Sequence, residues 1–278
     1  LMKPYKTILL SLLILPLPLL LGSCEKEEEI ENTRWVLVWS DEFDTPTPDN
    51  RPDPSKWTYE KGASGYGNQE LQNYTDRVEN ASYTTHKGLG CLKITALNDN
   101  YDGVAYSSAR IKTEGLFEQR YGRFEARLKL PYGPGLWPAF WMLGANYATD
   151  VWPKCGEIDI MENVGYDPDT IVGSSHTEKY NHAIGTQKNA KIACPDCYKA
   201  FHVYALEWEE DEYRLYVDDQ LYFTFKNEGT GYEVWPYDKR FHILLNLAIG
   251  GNWGGQKGID DSLFPHVFEI DYVRVYKK

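Results

Sequence analysis

The 278-residue chain carries 41 acidic against 29 basic side chains, a formal net charge of -12. That balance disfavours nucleic acid and other polyanions as partners, because phosphate recognition needs a basic footprint, whereas a neutral polymer is not repelled. Nine Trp, 21 Tyr and 10 Phe make up 14% of the residues, enough that some rings must reach the surface, where they can stack on sugar faces; β-sandwich cores use aromatics as well.

In chain order, Leu1-Met2-Lys3-Pro4-Tyr5-Lys6 gives a basic start, Thr7 to Leu21 an apolar run, and Gly22-Ser23-Cys24 small residues before a cut. The run is short and broken by Pro16 and Pro18, so residues 1–23 read as a secretory signal rather than a membrane span. Leu21-Gly22-Ser23-Cys24 also resembles a bacterial lipobox, whose cysteine becomes the lipidated first residue; the competing reading is a plain signal with an incidental Cys24. Residues 24–33 form an acidic tether, and Lys26-Glu27-Glu28-Glu29 resembles the signal that sends Bacteroidetes-type lipoproteins to the outer face of the outer membrane. The expected setting is thus an outer-membrane lipoprotein facing the cell exterior, attached through its lipid. Residues 34–278 are enough for one sizeable core and not clearly for two domains.

Within that domain, strand-like alternation recurs at Trp35–Trp39, Leu92–Ala96, Arg123–Leu130, Tyr213–Val217, Phe241–Leu247 and Phe268–Tyr276, with turn signals such as Val217-Asp218-Asp219-Gln220 between them. No segment of helical length shows a 3.6-residue apolar period. The expected fold is all-β, an antiparallel two-sheet sandwich of the jelly-roll kind. Trp137 to Leu143 reads as a strand with Trp137, Ala139 and Trp141 on one face and Phe140 and Met142 toward the core.

Of the cysteines after Cys24, Cys91 and Cys155 read as buried thiols. Cys194-Pro195-Asp196-Cys197 either closes a tight loop as a disulfide or supplies half a metal site. No second Cys or His pair at zinc-site spacing accompanies it, so the loop disulfide is preferred.

The most telling segment is Gly156-Glu157-Ile158-Asp159-Ile160-Met161-Glu162-Asn163, three carboxylates in one strand-like stretch with no basic residue among them. In an extended strand Glu157 and Asp159 share a face, but Glu162 falls on the opposite one unless Met161 is the extra residue of a β-bulge. Two carboxyls meeting in one cleft about 5 to 5.5 Å apart suit a retaining glycosidase, one as nucleophile and one as acid/base. A solvated acidic edge strand is the plainer alternative, but Ile158, Ile160 and Met161 argue for a strand packed on a core.

Taken together, Trp39-Ser40-Asp41-Glu42-Phe43, Gly67-Asn68-Gln69-Glu70-Leu71-Gln72-Asn73-Tyr74, Ser108-Ala109-Arg110-Ile111, Trp137 to Leu143, Gly156 to Glu162 and Asp271-Tyr272-Val273-Arg274-Val275-Tyr276 closely resemble glycoside hydrolase family 16, and most of all its laminarinase-like bacterial endo-β-glucanases. The resemblance runs from Trp35 to Tyr276 and implies a jelly roll with a cleft across one sheet. It implies Glu157 as nucleophile, Glu162 as acid/base and Asp159 as the helper between them, with no cofactor for catalysis. For sugar binding it points to Asn68, Glu70, Arg110, Trp137, Trp141, His176 and Trp253, the last in a glycine loop able to cap the cleft. A structural calcium on the convex side would match Glu42, Gly90 and Asp271, whose oxygens suit a hard cation, although ordinary polar contacts between terminal strands explain the same residues.

The expectation is therefore a monomeric retaining endo-β-glucanase for neutral glucans with 1,3 linkages, laminarin or the mixed-linkage 1,3-1,4 polymer. The alternatives are a transglycosylase, a family relative cutting agar, carrageenan or xyloglucan, and a non-catalytic glucan-capture lipoprotein. Binding-only relatives typically lack one or both glutamates, and here both are in place.

Overall fold

The computed structural model describes residues 35–278; the expected signal segment, the lipidated Cys24 and the tether to residue 33 lie outside them. Among the described residues the strands are β1 (Val36–Asp41), β2 (Thr58–Glu60), β3 (Gln72–Tyr74), β4 (Ala81–His86), β5 (Leu89–Tyr101), β6 (Val104–Ser108), β7 (Arg110–Lys112), β8 (Gly122–Lys129) and β9 (Leu136–Gly144). They continue with β10 (Glu157–Val164), β11 (Asp167–His176), β12 (Lys188–Ala193), β13 (His202–Trp208), β14 (Glu212–Val217), β15 (Gln220–Lys226), β16 (Phe241–Ile249) and β17 (His266–Lys277). Helix is confined, among the same residues, to three single 3-10 turns.

The strands form two sheets. A ten-stranded sheet runs β15-β14-β13-β8-β17-β5-β6-β3, with β1 beside β17 and β4 beside β5; a seven-stranded sheet runs β12-β11-β10-β9-β16-β7-β2. Pairing is antiparallel except between β3 and β6. Period-two alternation explains this: β14 reads partly exposed and buried by turns from Glu212 to Val217, and the turn after it places Asp218 and Asp219 at positive φ, 47° and 65°, the left-handed pair that a tight hairpin requires. The inner faces meet over Phe124, Leu128, Ile158, Ile160, Leu245, Leu247, Phe268 and Val273, all fully buried. The architecture is the expected all-β jelly roll.

One expectation fails. Cys194 and Cys197 form no disulfide: Cys91, Cys155, Cys194 and Cys197 are all buried thiols. Cys197 turns its sulfur to the Pro168 carbonyl, donating at 3.1 Å, so the tight turn between the two cysteines closes through its backbone, where Cys197 N donates to Cys194 O at 3.2 Å.

Candidate active site

The acidic strand lies inside the seven-stranded sheet as β10, between β9 and β11. The chain enters it through Gly156, whose φ is 83° and where a Cβ would stand 2.6 Å from Pro236 Cγ; both conditions require glycine. Glu157 then pairs with Leu143 and His176, and Asp159 with Trp141 and Ser174. Beyond Asp159 the register shifts. Ile160 and Met161 together stand against Phe140 alone on β9, so that Glu162 comes opposite Ala139.

This bulge settles which way Glu162 points. Ile160 and Met161 are both fully buried, and Glu162 returns to the face of Glu157 and Asp159. Opening the ladder frees the Ile160 carbonyl, which accepts a hydrogen bond of 2.7 Å from the Tyr222 hydroxyl. That hydroxyl reaches it over Gly173, where a Cβ would lie 2.4 Å from the Tyr222 oxygen. A tyrosine from β15 thus satisfies the backbone group that the bulge would otherwise leave unpaired.

The acids face a cavity of about 330 Å³ whose walls include Tyr66, Trp137, Trp141, Tyr147 and Trp152. Its floor follows a row of directly paired residues, Arg110, Asn246, Ala139 and Glu162, running across β7, β16, β9 and β10. Ala139 keeps that floor low. Trp137 Nε1 donates to Glu162 Oε1 at 3.0 Å, and Trp141 Nε1 donates to Asn246 Oδ1 at 2.7 Å. Asn246 Nδ2 donates onward to the Tyr74 hydroxyl at 3.1 Å, and Tyr74 to Glu70 Oε2 at 3.2 Å. The Arg110 guanidinium lies 4.7 Å from the Trp141 ring centroid, close enough to steady that ring. A larger open depression of about 940 Å³ near Trp35, Arg120 and Lys278 has no buried acid in its lining.

Three buried carboxyls so close cannot all be charged. Burial first, and the neighbouring Asp159 second, push Glu157 up to about 8. Burial and then Asp159 raise Glu162 well above the carboxylate range, while its bond from Trp137 pulls it back. Asp159, 3% exposed, is also raised by burial, and its hydrogen bond with Glu157 opposes the shift. Glu157 and Asp159 therefore share a proton, and Glu162 holds its own. His176 Nε2 lies 3.1 Å from Asp159 Oδ2 and 3.7 Å from Glu157 Oε1, and it favours the charged form of Glu157.

Similarity to known proteins agrees with this geometry. The family model for glycosyl hydrolases family 16 matches residues 55–274. The chain belongs to that family. A beta-glucanase of Rhodothermus marinus is 49% identical over 251 residues, covering 87% of this chain and 85% of that protein. The laminarinase structure from Rhodothermus marinus superposes with a TM-score of 0.82 at 48% identity, covering 88% of this chain and 98% of that one. A laminarinase from Flavobacterium sp. UMI-01 superposes with a TM-score of 0.77 at 40% identity, covering 87% and 100%.

Against this family 16 frame, Asn68, Glu70, Arg110, Trp137 and Trp141 all line the cleft with Glu157, Asp159 and Glu162. His176 does not. It is 6% exposed, beside Glu157 on the neighbouring strand and under the Trp152 and His182 rings, 6.1 Å and 5.2 Å away, so its contacts in the structure are with Asp159 and Glu157. Trp253 packs edge-on against Trp137, with centroids 5.3 Å apart, and buttresses that ring at the rim. The glycines of its loop serve contact between loops, since a Cβ at Gly254 would meet Gly250 O at 2.6 Å and Trp137 Cβ at 3.0 Å.

Sequence reasoning missed Tyr66, Tyr147, Trp152, His182 and Asn246. Asn246 carried a usable signal as the lone amide in Ile243-Leu244-Leu245-Asn246-Leu247-Ala248-Ile249. A polar group in a fully buried strand needs a partner. The loop residues Trp152 and His182, whose rings meet tilted with centroids 4.9 Å apart, carried none.

The side chains of the expected calcium set are engaged elsewhere. Glu42 accepts from Arg274 through both carboxylate oxygens, at 3.0 Å and 2.7 Å, and Asp271 accepts from Arg127 at 2.5 Å. Arginine thus takes both side chains of the set, which leaves backbone oxygens, that of Gly90 among them, as what a hard cation could take there; family 16 chemistry at the cleft needs no cofactor.

Proposed function

We propose that this chain is a retaining endo-β-glucanase that cleaves neutral β-glucans containing 1,3 linkages, laminarin or mixed-linkage 1,3-1,4 glucan. The observation that carries the reading is the bulge in β10, which brings Glu157, Asp159 and Glu162 onto one aromatic-walled cleft. Relatives named beta-glucanase and laminarinase support the substrate class. Four acids, Glu70, Glu157, Asp159 and Glu162, line the cleft with Arg110 as its one Lys or Arg, which disfavours sulfated or uronic-acid polymers.

In the first step Asp159 keeps the shared proton and Glu157 attacks the anomeric carbon as a carboxylate. The bond to the leaving sugar breaks as Glu162 gives its proton to the departing oxygen, and an ester to Glu157 forms. Glu162, now charged, takes a proton from water, whose oxygen attacks the same carbon and releases Glu157. Two inversions leave the β configuration unchanged, and every group returns to its starting protonation. The fixed Trp137 donor stabilises Glu162 while it is an anion.

The test compares product release from barley mixed-linkage glucan, laminarin, xyloglucan and agarose by the wild type and Glu157→Gln, with the first-formed anomer read by NMR. Oligosaccharides from either of the first two, released as the β anomer, are expected. Binding without cleavage would instead indicate a glucan-capture protein, and an α product would sink the double displacement. We also propose export as a surface lipoprotein, which rests on the Leu21-Gly22-Ser23-Cys24 pattern; palmitate labelling should disappear in Cys24→Ala, and an unlabelled wild type would refute it.

A further inference from the structure

The crossover from β12, at the edge of the cleft sheet, to β13 in the other sheet carries Cys194-Pro195-Asp196-Cys197 and then His202. Cys194 N donates to Asp169 O in β11 at 2.7 Å, and Leu130 N, just past β8, donates to Cys197 O at 2.9 Å. The segment is therefore tied to both sheets. None of its residues lines the catalytic cleft.

A sulfur of Cys194, a carboxylate oxygen of Asp196 and a ring nitrogen of His202 all lie within 4.8 Å of one another. His202 Nε2 stands 3.2 Å from Asp196 Oδ1, yet it is buried and makes no hydrogen bond. Its other nitrogen is held: Nδ1 lies 2.6 Å from Asp218 Oδ2, and Asp218 Oδ1 accepts the Val203 N–H at 2.8 Å. That carboxylate orients the ring so that Nε2 faces Cys194 and Asp196, the place a second carboxylate takes beside metal-bound histidines. Cys197 stands in the same tight turn, its N–H donating to Cys194 O at 3.2 Å. Sulfur, carboxylate and imidazole thus converge on one point, a donor set that suits a borderline-soft cation.

We propose that Cys194, Asp196 and His202, joined by Cys197, bind a divalent transition-metal ion, zinc foremost, that clips the crossover between the two sheets. The two cysteines alone form only half a site, and the fold supplies the rest by bringing His202 to them on β13. Thiolate and imidazole donors select a borderline-soft ion over calcium or magnesium. Cys197 completes four ligands by turning from the Pro168 carbonyl, and the two thiol protons leave to solvent as the metal enters.

The test uses the full chain, reduced, freed of reductant and chelator, and titrated with Co(II). Thiolate charge-transfer and tetrahedral d–d absorption should saturate at a single equivalent and bleach on adding Zn(II). The signal should be lost in Cys194→Ser and His202→Asn, both checked as folded by circular dichroism, and kept in Glu157→Gln, which controls for the cluster of Glu157, Asp159 and His176. Zinc should also raise the melting temperature of the wild type and not that of His202→Asn. A reduced wild type that takes up no stoichiometric metal overturns the proposal, including one isolated with a Cys194–Cys197 disulfide. So does binding that survives in both site variants, or that disappears in Glu157→Gln.

Discussion

Replacing Glu157 by Gln should destroy hydrolysis and at the same time make the protein more stable, in a way that depends on pH. The carboxyl is pushed from its ordinary 4.5 up to about 8 by burial and by Asp159, with its side chain only 16% exposed. Between those values the native state keeps a proton that the unfolded chain has released, so stability falls as pH rises through the window, and the loss is complete above about 8. Below 4.5 both states hold the proton and the effect vanishes. A full displacement of this size corresponds to about 5 kcal/mol; solvent in the open cleft and the proton shared with Asp159 reduce it to roughly 1–3 kcal/mol. Gln has the same shape and never ionises, so it removes the penalty. For a domain of this length that is a rise of roughly 3–10 °C in Tm near pH 9, shrinking to nothing near pH 4. Thermal unfolding at constant ionic strength across that range measures it, beside a kcat at least ~10³-fold lower. A variant no more stable than wild type near pH 9, or a gap unchanged near pH 4, would refute the raised pKa of Glu157 and the native-state penalty drawn from it.

Trp137→Phe keeps an aromatic face, though a smaller one, and deletes the donor to Glu162. Because that bond lowers the Glu162 pKa, the alkaline limb of kcat/KM should move to higher pH and kcat fall about tenfold; a limb that stays put or moves down contradicts the assignment. Tyr222→Phe leaves the Ile160 carbonyl without its partner and should cost about 1–2 kcal/mol of stability in chemical denaturation, together with a loss in kcat at unchanged KM; a purely structural role would leave kcat alone. Gly173→Ala, which forces a Cβ against the same hydroxyl, should lower kcat further than Tyr222→Phe, and near wild-type activity would count against the bulge as the device that aims Glu162. Asn246→Ala breaks the chain from Trp141 to Glu70 and should raise KM about tenfold on polymeric substrate with little change in kcat; steady-state kinetics decides between these.

Much of this was legible in the residues themselves. Alternation in Arg123–Leu130 and Phe268–Tyr276 marks strands because side chains in an extended chain change face at every residue, and the partners β8 and β17 do pair. Trp137, Ala139 and Trp141 could be assigned to one face by the same rule, and the acidic segment announced a site because like charges on a packed strand are unfavourable without a use. The bulge was only conditional. Parity set Glu162 on the wrong face, and the return to the right one depends on Tyr222, from a strand far along the chain, holding the Ile160 carbonyl over Gly173. The resemblance names His176 and Trp253 as sugar contacts, yet what a ring touches is a matter of depth, which local pattern does not encode; packing set His176 beside the acids under Trp152 and His182 and left Trp253 at the rim against Trp137. Local sequence thus determined the strands, their faces and the identity of the three acids, because these follow from backbone geometry and residue type. Tertiary structure alone decided the direction of Glu162, the relay through Asn246 and Tyr74, and the meeting of His202 with Cys194, because each depends on side chains brought together from distant parts of the chain.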